Sequence, residues 1–111
     1  MSRFRLVRLV RTGSSEVFVA WDENRRIAQV DLHFGDRTVH ATVVLEAPLS
    51  SADQQELYAQ IDEDVVSSYM PSFERDDLVF TVFRGQEVDS FSYPEQEEEL
   101  PGEEEAQDSQ A

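Results

Sequence analysis

The sequence contains no cysteine. Disulfides, thiol nucleophiles and cysteine-ligated zinc are therefore excluded, and a domain this short without disulfide staples suits the cytoplasm. Lysine is absent as well, all nine basic residues being arginine. That removes lysine Schiff bases and the phosphate-gripping lysine of P-loops. No apolar run approaches the ~20 residues that a membrane-spanning helix needs. Met1–Arg11 has an arginine every two or three residues, which interrupts the apolar stretch a secretory leader requires. The motifs G-x-S-x-G, H-E-x-x-H, G-x-G-x-x-G and Walker A are also missing. With two histidines in the chain, the means for catalysis are sparse, and the sequence implies no cofactor.

What is present is valine and phenylalanine. Val7, Val10, Val17, Val19, Val30, Val39, Val43, Val44, Val79 and Val82 join seven phenylalanines, and such β-branched and aromatic enrichment points to a sheet-dominated body. The net charge is −15, unevenly spread. Residues 1–48 hold seven arginines against six acids, residues 49–93 two against ten, and residues 94–111 eight acids and no base. Direct nucleic-acid binding is disfavoured, because phosphate attraction supplies most of that affinity. Anionic membranes are disfavoured by the same charge, and a basic protein partner fits it.

The hydrophobic phase predicts a strand over Arg3–Arg11, a turn at Thr12–Ser15 and a second strand over Glu16–Asp22. A hairpin there places Arg11 opposite Glu16 and Val10 opposite Val17, with a bulge at Val7–Leu9 expected to return Val10 to the Phe4/Leu6 face. A third strand, Ile27–Phe34, follows the turn Asp22–Arg25. Phe34-Gly35-Asp36-Arg37 reads as a two-residue type II′ hairpin. Its register pairs Leu32 with Val39, Val30 with Ala41 and Ala28 with Val43 on an apolar face, and His33 with Thr38, Asp31 with His40 and Gln29 with Thr42 on a polar one. Ser51 and Gln54 resemble a capping box. Leu57, Ile61 and Val65, widened by Tyr58 and Tyr69, form a helical stripe that ends before Pro71. Leu78–Arg84 reads as a further strand and Val88–Phe91 as a short sixth. The fold expected is α+β: an antiparallel four-stranded meander followed by one helix and one or two further strands, with the helix packed on one sheet face. Residues 1–93 form a single domain in this reading. Residues 94–111 lack the apolar surface to offset chain entropy and read as a disordered acidic tail.

Four groups of residues invite a functional reading. Asp31, His33 and His40 share the polar face and offer a carboxylate beside an imidazole, although a solvated sheet face gives the same pattern. Arg3, Arg5, Arg8 and Arg11 make the first strand basic, as a docking strip or as protection of an edge. Asp62-Glu63-Asp64 and Asp76-Asp77 lack the glycine-containing loop of an EF-hand. The tail, through Glu97, Glu98, Glu99, Leu100, Glu103, Glu104 and Glu105, has the composition of an interaction segment and equally that of a solubilising terminus without a specific partner. Together they favour a non-catalytic protein-binding module: a small regulator, an inhibitor or immunity-type protein, or a subunit of a larger assembly. Its surface comprises Arg3, Arg5, Gln29, Asp31, His33, His40 and Thr42, with the tail as a second contact and a homo-oligomer compatible. One alternative is an acidic nucleic-acid mimic that occupies a DNA-binding protein. Another is a small metal-dependent or acid–base enzyme using Asp31, His33 and His40.

Overall fold

The computed structural model describes residues 3–94; the acidic segment expected to be disordered, including Glu97–Glu105, lies outside them. Strands β1 (Arg5–Arg11), β2 (Ser15–Asp22), β3 (Arg25–Phe34) and β4 (Thr38–Leu45) form an antiparallel meander. Helix α1 (Ser51–Ile61) continues through a π-helical segment, Asp62–Val66, into a last turn at Ser67–Tyr69. After a 3₁₀ turn at Ser72–Glu74, strand β5 (Asp77–Arg84) adds to β4 in parallel, and the sheet order is β1-β2-β3-β4-β5. A parallel partner requires a long crossover, and the helix supplies it. The expected α+β architecture is what the chain adopts. Among the described residues the stretch Val88–Phe91 forms no strand, contrary to the sixth strand expected.

The core lies between the helix and one face of the sheet. Phe4, Phe18, Ala20, Ala28, Val30, Leu32, Phe34, Val39, Ala41, Val43 and Leu45 meet Leu57, Ile61, Val65 and Val66 there. Burying one such Leu, Ile or Val contributes about 1.5–3 kcal/mol. The π segment explains why Val65 and Val66, adjacent in sequence, are both buried: its wider turn rotates the later residues back onto the stripe that Leu57 and Ile61 begin. The helix is capped by Ser50, whose Oγ accepts from Asp53 N–H at 3.0 Å, one residue earlier than the box expected at Ser51. Gln54 instead donates to Leu49 O. No helix among the described residues is long and apolar enough to cross a membrane.

Two features of the sheet correct the sequence reading. Val10 does pair with Val17, and Arg11 with Glu16, but the bulge at Leu9 has the opposite effect from that expected. Leu6 and Arg8 lie on the helix side opposite Ala20 and Phe18, and the extra residue sends Val10 to the other face, where it is 49% exposed. The β3–β4 connection is also longer than two residues. His33 pairs with His40, Asp31 with Thr42, Gln29 with Val44 and Phe34 with Val39. Gly35 N–H donates to Thr38 O at 2.8 Å, and Gly35 does not take the left-handed conformation that a type II′ turn demands. The wider loop is held from outside the hairpin. Arg37 Nε donates to Asp76 Oδ1 at 3.0 Å, and Asp76 N–H to Arg37 O at 2.6 Å. A shift of two residues keeps every side chain on its face, so the two faces stand as expected while each cross-strand partner changes.

Candidate functional site

The sheet face away from the helix is uncovered by any described element. Its middle is polar: Gln29, Asp31 and His33 on β3 lie beside Val44, Thr42 and His40 on β4. A row of hydrogen bonds orders this strip. Arg26 is gripped in two places by Glu46, through Nε at 2.6 Å and NH2 at 3.1 Å, and it also approaches Glu87 at 3.3 Å. Glu46 is the main reason that the Arg26 guanidinium holds its proton still more tightly than usual. Arg26 NH2 then donates to Gln29 Oε1 at 3.4 Å, and Gln29 Nε2 to Asp31 Oδ1 at 3.2 Å. The chain Glu46–Arg26–Gln29–Asp31 thus fixes two of the expected surface residues before any partner arrives.

Apolar side chains flank the strip. Val7, Val17 and Trp21 on the β1–β2 side are half-buried, and Val10 is exposed. Val44 and Val79 on the other side are half-buried, and Phe83 is 56% exposed. Arg5 lies across the Trp21 ring, its guanidinium carbon 5.5 Å from the centroid, a cation–π arrangement that keeps the charge at the rim. A polar centre between partly exposed apolar columns offers both hydrogen bonding and desolvation to an incoming surface.

The structure brings Arg5, Gln29, Asp31, His33, His40 and Thr42 onto this face. Arg3 is placed elsewhere. Its guanidinium binds Asp22 at 2.9 Å, Asp53 at 2.7 Å and Glu56 at 3.3 Å, tying the start of the sheet to α1. The expected direct pairing of Asp31 with His40 is replaced by two exposed histidines opposite each other, His33 and His40, with Asp31 on the diagonal from His40. Among the described residues no group of three or more His, Asp or Glu side chains is placed to hold a metal ion.

The sequence reading did not find a cleft of about 310 Å³ between β1, β2 and the second half of the helix. Its floor carries the Glu16 carboxylate, which is 5% exposed and faces Arg8 Nε at 3.2 Å and Arg11 NH1 at 3.7 Å. Arg8 also lies over Phe18 and Arg11 over Tyr69. Gln60 closes one end, accepting from Phe4 N–H at 3.0 Å and donating to Phe4 O at 2.6 Å. The signal was present, since Glu16 alternates in phase with Phe18 and Ala20 and so had to lie on the helix side. Glu16 already engages both arginines, so the cleft has little positive charge to offer an anion.

Protein-family models, curated proteins and solved structures were compared with the chain, and none matches it.

Proposed function

We propose that the chain is a non-catalytic, cytoplasmic protein-binding module that acts through the open face of its sheet on a basic protein. The observation behind this reading is the ordered polar strip Gln29–Asp31–His33/His40–Thr42, held by Arg26 and bordered by half-exposed valines, Trp21 and Phe83. Preordered polar groups lose little entropy on docking, and aromatic anchors such as Trp21 are the residues that commonly dominate binding energy. The net charge of −15 favours a basic partner and rapid, salt-dependent encounter. Regulator, inhibitor and assembly subunit are all roles compatible with such a face.

The test is affinity capture from the native host with the intact chain, compared with a variant carrying Asp31→Ala, His33→Ala and His40→Ala. These side chains are partly or fully exposed, so the variant should keep the native circular dichroism. The reading expects a basic protein that is retained by the native chain and lost by the variant. Capture that is indifferent to the three substitutions would overturn it. Binding of a DNA-binding protein that disappears with added salt, yet ignores these substitutions, would favour the nucleic-acid mimic instead.

A further inference from the structure

The two edges of the sheet are built differently. β1 carries Arg5, Arg8 and Arg11 and is broken by the bulge at Leu9. Charge and a bulge are the usual devices that stop an edge strand from pairing with another chain. β5 has neither. Between Asp77 and Arg84 it reads Leu-Val-Phe-Thr-Val-Phe, with no charge, proline or glycine, and its register with β4 runs unbroken through all eight residues. Val82 is 39% and Phe83 56% exposed. No described strand pairs with its outer side. Residues 86–90, which follow it, turn away toward Arg26 and Glu46 at the end of β3 and β4. A regular strand of this length, uncharged between its ends and left open at an edge, is a template for another strand.

The occupant can be read from β5 itself. We infer that β5 pairs antiparallel with β5 of a second copy of this chain about a twofold axis at Thr81, making one continuous ten-stranded sheet. In that register Thr81 faces Thr81 of the second copy, Val79 faces Phe83, and Phe80 faces Val82. Thr–Thr and aromatic–β-branched pairs are the favourable cross-strand combinations, and every pair off the axis appears twice, as an isologous interface requires. Unlike charges also share each strand end, with Arg84 opposite Leu78 and Asp77 next to it on the other face of the sheet. Arg84 of one copy arrives at the end that carries Asp77 of the other. A second copy meeting at β1 would instead set three arginines against three arginines. Gly85 N–H donates to Leu45 O, so by alternation the odd-numbered amides of β5 face β4 and the even-numbered ones face outward. Leu78, Phe80, Val82 and Arg84 would supply the intermolecular hydrogen bonds. Thr81 would then be a non-hydrogen-bonded pair, with Cα atoms about 4.5 Å apart, close enough for a disulfide between substituted cysteines.

The absence of cysteine makes the test unambiguous. The native chain is expected to sediment as a dimer at micromolar concentration. The dimer should tighten with added salt, because two strongly acidic chains repel each other less when screened. Under mild oxidation Thr81→Cys should become a disulfide-linked dimer, while Val10→Cys, on the guarded edge, should dimerise without forming a crosslink. Val82→Lys with Phe83→Lys should weaken the dimer by more than about tenfold, by burying unpaired charge at the pairing edge. Both positions are exposed, and unchanged circular dichroism would show that the domain itself is intact. A native chain that stays monomeric throughout the micromolar range overturns the inference, as would occur if β5 receives a strand of a different protein. So does an open-ended ladder of oligomers, a dimer indifferent to the two lysines, or equal crosslinking through Val10→Cys.

Discussion

Two long-range polar contacts join the start of the chain to the helix. Gln60 satisfies both backbone groups of buried Phe4. Replacing it by leucine leaves an N–H and a C=O without partners inside the protein, at about 1–3 kcal/mol for each group. Gln60→Leu is therefore expected to lower unfolding free energy by roughly 2 kcal/mol or more, measured as a lower urea midpoint with unchanged slope. Arg3 acts nearer the surface. Its hydrogen bond is the main reason that the Asp53 carboxyl titrates below the ordinary aspartate value of 3.8, against an opposing effect of burial. A carboxyl group whose folded value is depressed contributes stability that is complete above the unfolded value and is lost as pH falls through the folded one. Arg3→Ala should thus melt earlier than the native chain at pH 7, and the gap should close as pH drops below 3.8. A gap of constant size between pH 7 and pH 3 would show that the arginine acts through packing and not through its carboxylates.

Turns separate what the sequence made legible from what it did not. All four strands of the meander, the helix and β5 were apparent from hydrophobic phase, because periods of two and 3.6 residues are local properties. Turn geometry was misassigned. Glycine at Gly35 suggested a left-handed residue, yet among the described non-glycine residues Glu23, in the β2–β3 turn, has the positive φ, at 57°. The Gly35 loop is widened by Arg37 and Asp76, 39 residues apart, and no local pattern reports such a contact. The same distance problem hid the cleft around Glu16 and the attachment of Arg3 to α1. By contrast, five residues of the open polar face besides Arg5 were identified correctly as neighbours, because the register error was even-numbered. The strained turn gives a prediction. A left-handed residue with a Cβ costs roughly 1–2 kcal/mol, partly offset by the greater unfolded entropy of glycine. Glu23→Gly should raise stability by up to about 1 kcal/mol, seen as a higher melting temperature without loss of β-sheet signal.

At the scale of the molecule, acidity and sheet order set the behaviour. With a net charge of −15, self-repulsion opposes the compact state. Raising ionic strength from ~0.01 to ~0.15 M shortens the screening length from ~30 to ~8 Å, and the melting temperature is expected to rise across that range. A fall would mean that ion pairs such as Arg26–Glu46 outweigh the repulsion. The parallel seam between β4 and β5 has a kinetic consequence. The first four strands join through short loops, so their contacts close cheaply and early. β5 finds its register only after 31 intervening residues have been arranged, and such non-local pairing is slow. Until then β4, with its sequence Thr-Val-His-Ala-Thr-Val-Val-Leu, is itself the open edge of a half-built sheet. The helix is therefore a timer as well as a cover: the faster it docks, the shorter the interval in which a nascent chain can be captured by its neighbour through the wrong strand.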